Sequence, residues 1–178
     1  MTFIRNAIVH WAENREPDFI IGGADNPYLR RHWLIPRNRF FNIYVHEFLR
    51  SDDDRALHDH PWLFNASWLI DGCYVEHTIR AGGVHVKTLR IGGDWKFRWG
   101  PAPHRVELQA MADCLQDAGL EGAQVWPWNA QPLPCWTVFI TGPRVREWGF
   151  YCMERGWIHW KRFTAADDPG AVGKGCEA

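Results

Sequence analysis

The chain has 178 residues, 20 basic and 21 acidic side chains and a formal net charge of −1. One domain is therefore the expectation, and the charge balance gives no case for nucleic acid or an anionic membrane as partner. No apolar run reaches the length of a membrane span, and Cys73, Cys114, Cys135, Cys152 and Cys176 form no Cys-x-x-Cys pair.

Residues 1–10 form a short amphipathic opening interrupted by Arg5 and Asn6, without the pattern of a secretory leader. The cysteines accordingly read as reduced thiols in a cytoplasmic protein, with no disulfide framework and no structural zinc knot. Residues 1–39 contain Gly22-Gly23, Pro27 and Pro36 together with Arg30, Arg31, Arg37 and Arg39. They are expected to be an arm packed on the domain, its arginines engaged in surface ion pairs.

From residue 40 the pattern turns to strands. Residues 40–49 are aromatic and β-branched, and 51–54 are a polar break. Residues 62–70 and 74–80 read as a hairpin around Asp71-Gly72. Further strands are expected over 84–91, 95–99 and 104–108, divided by Gly- and Pro-containing turns. A short helical or loop insertion is expected near 110–134, strands at 135–141 and 145–151, and a final aromatic segment at 157–163. The small, polar stretch 164–178 reads as a flexible tail. Repeated short strands with such turns point to an all-β sandwich or barrel over 40–163.

One pattern carries chemistry. His58 and His60 are two residues apart on an extended segment, so their side chains share a face and can converge on one ion. Imidazole suits iron, zinc, copper and nickel, and a third histidine from another strand, His104, would leave positions open for water or substrate. Asp59 points to the opposite face, where it would stabilise the loop, and Pro61 fixes the exit. The Gly-rich phosphate loop, the Gly-x-Ser-x-Gly elbow and His-Glu-x-x-His are all absent from the sequence.

His58, His60, Asn65 and Gly72 fall at the spacing of the first cupin motif, and Gly92-Gly93-Asp94, Gly100-Pro101 and His104 follow the second loosely. Over about residues 40–163 the chain thus resembles the cupin superfamily. It departs from the pattern at Asn65, where the family has a Glu ligand, and at Leu108, where an Asn is usual. The resemblance implies a double-stranded β-helix, or jelly-roll barrel, with His58, His60 and His104 projecting inward near its mouth as metal ligands. The implied cofactor is a divalent transition metal, iron first, with zinc, nickel or manganese as alternatives.

Asn65 is positioned to offer a weak carbonyl ligand or to bond a metal-bound water, and Tyr74 and Trp62 to line the pocket. Glu76 shares a strand face with Tyr74. If that face looks inward it is the candidate catalytic residue as a general base, or else a metal ligand or the partner of a ligand histidine; if outward, an exposed hairpin residue. His46 and His85 are lesser candidates. Arg105 and Glu107 read as a cross-strand charge pair, and Arg144, Arg146 and Glu147 as a charged surface patch, although an arginine at a pocket mouth could clamp a carboxylate. Twelve tryptophans fit a core, a cavity wall or an oligomer interface.

Two functions follow as expectations. One is a metal-dependent enzyme, foremost a non-haem dioxygenase, acting on a small organic substrate. The other is a non-catalytic cupin that binds a small molecule or serves a structural or interaction role. Under either, a homo-oligomer is expected.

Overall fold

The computed structural model describes residues 2–52, 56–110, 113–114, 119, 132–167 and 171–177. Helix α1 (Thr2–Glu13) leads into β1 (Phe19–Ile21), β2 (Leu29–Trp33), β3 (Asn42–Phe48), β4 (Leu57–His58), β5 (Phe64–Asp71) and β6 (Cys73–Arg80). There follow β7 (Val84–Ile91), β8 (Trp95–Trp99), β9 (His104–Leu108), β10 (Cys135–Thr141), β11 (Gly149–Cys152) and β12 (Gly156–His159), then one helical turn, Trp160–Phe163.

The strands make two six-stranded sheets, ordered β1-β2-β3-β10-β5-β8 and β12-β11-β4-β9-β6-β7. Every pairing among them is antiparallel. Between β3 and β11 the chain crosses repeatedly from one sheet to the other, which is the jelly roll, or double-stranded β-helix, of the cupin fold.

Alternation along the strands sorts the side chains. On the first sheet Val45, Ile70, Trp136 and Val138 face outward and are covered by Ala12, Ile8 and Val9 of α1. Arg5 of the same helix pairs with Asp71 at 2.6 Å. The opposite face looks between the sheets, where Leu69, Tyr74, Val106, Leu108 and Cys135 pack together. The Asp71-Gly72 corner is a tight turn: Gly72 has φ +82, and a Cβ there would lie 2.8 Å from that of Cys135, so only glycine fits.

Several expectations are corrected. Residues 1–39 are more than an arm, because β1 and β2 extend the first sheet through the β2–β3 pairing. The tail expected to be flexible is ordered where it is described. Thr164 bridges Val172, a 3-10 turn spans Gly175–Glu177, and Cys176 is bonded to Cys152. Cys73 is likewise bonded to Cys114, and only Cys135, fully buried, is free. Burial pushes the Cys135 thiol far up, so it is inert. The two bridges overturn the reading of reduced thiols, and with it that argument for the cytoplasm.

The insertion expected near 110–134 falls mostly outside the described residues; within it Ala110 bridges Pro132. Among the described residues, no helix is long and apolar enough to cross a membrane.

Candidate metal centre

His58 and His104 sit directly opposite each other in the β4–β9 pairing, which brings their ring centroids to 4.9 Å. His60 follows β4, and its backbone is clamped. Its N–H donates to the Gly100 carbonyl at 3.0 Å, and the Gly100 N–H donates to Leu63 at 3.0 Å. A Cβ at Gly100 would collide with the Trp62 carbonyl, so glycine is what allows this close approach.

Asp59, between the two histidines, points away and is fully buried. It accepts from the Gly149 N–H at 2.8 Å, from Arg146 at 2.7 Å and from the Trp157 indole at 3.2 Å. Anchored on both sides, the segment presents His58 and His60 to the same point.

The three imidazoles can each offer one nitrogen within 4.8 Å of the others. His60 Nε2 and His104 Nε2 stand 2.9 Å apart. Two nitrogens bound at right angles to one ion, with bonds of about 2.1 Å, would be separated by about 3 Å, so the residues present fit a metal. His104 Nδ1 is buried without a hydrogen-bond partner. Burial lowers the pKa of His58, and lowers those of His60 and His104 well below the usual value; the Arg98 charge acts in the same direction on all three. At neutral pH the rings are uncharged and their lone pairs available.

Glu76 faces inward from β6 and is fully buried. Both of its oxygens are engaged. Oε1 takes the Arg98 guanidinium in a short ion pair, and Oε2 takes Arg90 at 3.1 Å, with Lys96 at 3.8 Å. Burial acts to raise its pKa, but the Arg98 charge and hydrogen bond, with Lys96 and Arg90, outweigh this and lower it. Oε1 lies 3.8 Å from His104 Nδ1, and Glu76 is not among the groups that converge. A carboxylate so surrounded is a counter-ion tying the sheets together, not a free base at the cavity, which corrects the catalytic role expected for it.

Asn65 is buried, with Oδ1 3.5 Å from Arg98 Nη1 and Nδ2 unpartnered. Arg98, its register partner on β8, therefore brings positive charge to the region where the family pattern has a ligand carboxylate. Tyr74 and Trp62 line the cavity, the Trp62 ring 5.3 Å from that of His60. Burial holds the Tyr74 phenol at about 12, neutral.

The cavity above the histidines has a volume of about 930 Å3. His46 lines it and stacks on Phe139 at 5.0 Å. His85 lies elsewhere, on the outer face of the second sheet, hydrogen-bonded to His77 at 2.9 Å. Arg105 and Glu107 share that face. Sequence reasoning missed Arg31, Arg37 and Arg39, all of which line the cavity, as does Arg144. The available signal was alternation: Arg31 lies two residues from the buried Leu29 on a short strand, on the same face.

No family model matches the chain, and no curated protein does. Solved structures align with the chain at low identity. A conserved protein with a double-stranded β-helix domain from Klebsiella pneumoniae is 14% identical with a TM-score of 0.46, over 74% of this chain and 90% of its own. Hydroxypropylphosphonic acid epoxidase from S. wedmorenis is 14% identical with a TM-score of 0.45, over 71% and 57%. The EutQ protein of Clostridium difficile is 11% identical with a TM-score of 0.39, over 65% and 68%.

Proposed function

We propose that this protein binds one divalent transition metal through His58, His60 and His104 and acts there on a small organic molecule, as a non-haem metal oxygenase or a related metal-dependent enzyme. One observation carries the reading: three neutral imidazoles, from β4, from the clamped segment after it and from β9, meet at a single point on the wall of a large cavity. Iron is the first candidate, with zinc, nickel and manganese as alternatives.

When bound, the ion would supply Lewis-acid or oxygen chemistry at its open positions. The chain's own contribution is positional. Trp62, Phe139 and Phe150 provide apolar wall beside the histidines. Arg98, held by Glu76, places a fixed positive charge behind His104 and Asn65, which favours an electron-rich group on the cavity side.

The 2.9 Å approach of His60 to His104 also fits a hydrogen bond between two neutral rings, and no carboxylate joins the trio. Those two facts favour the second reading, a metal-free cupin that binds a small molecule or serves a structural role. Elemental analysis of untagged protein purified without chelator, beside His60→Ala, separates the two. Near-stoichiometric metal that is absent from the variant is expected. Wild-type protein that stays metal-free after anaerobic reconstitution would sink the metal reading and leave the second.

A homo-oligomer is part of the proposal. Trp95, Phe97 and Trp99 stand 54–59% exposed along β8, an apolar ladder at a sheet edge, which supports it. Sedimentation of the protein as a monomer would remove it.

A further inference from the structure

Six arginines and a single acid, Asp52, line the cavity. Arg98 is paired with Glu76 and Arg144 with Glu147. Arg31 is different. It projects from the inner face of the first sheet, opposite His46 in the β2–β3 register. Its neighbour Arg30 points the other way and pairs with Glu47 at 3.2 Å. Among the described residues Arg31 forms no ion pair.

Two contacts hold the Arg31 side chain. Its Nε donates to His46 Nε2 at 2.9 Å, and its guanidinium lies over the Tyr44 ring at 4.9 Å. These fix the plane of the guanidinium and leave the two terminal nitrogens, the end of the fork that matches a carboxylate, for the cavity. Burial pulls its pKa down to about 10, with Tyr44 acting against this and Arg37 with it; the group remains a cation, and no carboxylate offsets its desolvation. A half-buried guanidinium oriented by a histidine and an aromatic ring, without an acid of its own, is costly unless a ligand completes it.

We propose that Arg31 is the anion-binding group of this cavity, and that the small molecule taken up there carries a carboxylate. His46 is a positioning residue that holds the guanidinium. The Phe139 ring, stacked on His46 at 5.0 Å and 5.9 Å from the ring of His60, lies between the anion end and the histidine trio, so the body of the ligand would run across it. The inference rests on reading this cavity as the substrate site, and it adds the substrate class.

The test is calorimetric titration of protein in chelated and metal-loaded forms with acetate, benzoate and succinate, and with benzamide as the neutral counterpart of benzoate. At least one acid is expected to bind, and benzamide roughly tenfold or more weakly than benzoate. Arg31→Gln should lose roughly tenfold or more of the affinity for acids, leaving benzamide binding, metal content and circular dichroism unchanged. Arg31→Lys should restore only part, since an ammonium lacks the fork. His46→Leu should weaken acid binding more than it weakens benzamide binding.

Arg31→Gln with wild-type affinity, acids that bind no better than benzamide, or no binding by any of the three acids overturns the proposal. Acid binding that disappears on chelation yet ignores Arg31→Gln puts the carboxylate on the ion and also overturns it. Metal-free wild-type protein with Arg31-dependent binding intact sinks the metal reading alone. If Arg31→Gln does not fold, Arg31→Lys decides the matter by the same titrations.

Discussion

The second sheet carries histidine clusters on both of its faces, and they differ in everything except residue type. On the inner face His58, His60 and His104 meet without an acid among them. On the outer face His77 is sandwiched between His85 at 2.9 Å and Glu107 at 2.6 Å, with Arg105 Nη2 3.1 Å from its ring. The outer cluster has its donors and acceptors matched within the chain. The inner one has three ring nitrogens within 4.8 Å of one another and an unpartnered His104 Nδ1. Whether a histidine is a ligand or a structural element is decided by what its neighbours leave undone.

The largest effect that bears on this contrast is on metal content. His104→Ala should remove bound metal almost entirely, whereas His77→Ala should leave the stoichiometry at its wild-type value and lower only Tm. Equal loss from both variants, measured by elemental analysis, would erase the distinction between the faces.

Next in size is the difference between the two glutamates. Glu76→Gln leaves the Arg98 guanidinium buried without its counter-ion and should cost about 3–5 kcal/mol in denaturant unfolding. Glu107 is partly exposed, and Glu107→Gln should cost about 1 kcal/mol. Similar costs for the two would show that the inner ion pair is not desolvated. Pairing Glu76→Gln with Arg98→Met should recover much of the loss, because the uncompensated charge then goes with its partner.

The tail gives a further test. Denatured, unreduced protein should titrate one thiol of its five cysteines, Cys135. The double variant Cys152→Ser, Cys176→Ser should lose about 3 kcal/mol, as expected for opening a loop of this length. Five reactive thiols without reductant would remove both bridges.

A smaller and more gradual effect comes with acid. Burial lowers the pKa of His32, His46, His58, His60, His77 and His104 in the fold. The unfolded chain takes up protons on these rings from about pH 6.5 downward, before the folded chain does. Their contribution to stability is therefore full above that pH and is lost as the pH falls through it towards the folded values. The Tm of chelated protein should fall steadily from pH 7 to pH 5. A flat or rising Tm over that range would mean the rings are solvated.

Much of the site was legible because strand alternation is a local rule. His58 and His60 share a face wherever the segment is extended, and His104 stands at the histidine position of the second motif. The strands from Asn42 to Thr141 follow from aromatic and β-branched runs cut by glycine turns. What stayed hidden depends on long-range placement. The partners of Cys73 and Cys152 are 41 and 24 residues away along the chain, a distance that spacing does not encode. Strand β2 reads as polar because Arg30 and Arg31 sit at its centre, one facing Glu47 and the other the cavity. Glu76 shares its strand face with Tyr74, and both are buried. Its neutralisation by Arg98 required knowing that β8 of one sheet faces β6 of the other.

The end of the chain forms part of the cavity wall. Phe163, Thr164, Ala165, Ala171 and Val172 all line it, and Phe163 stacks on Phe150 at 3.8 Å. Just beyond them the Cys152–Cys176 bond ties this segment back to β11. Shortening the protein from its C-terminus would thus do more than trim surface. A chain ending before residue 171 would lose Ala171 and Val172 from the wall and, with Cys176, the bond that holds Phe163 to Ala165 in place, so a deletion that looks harmless in the sequence would reshape the cavity.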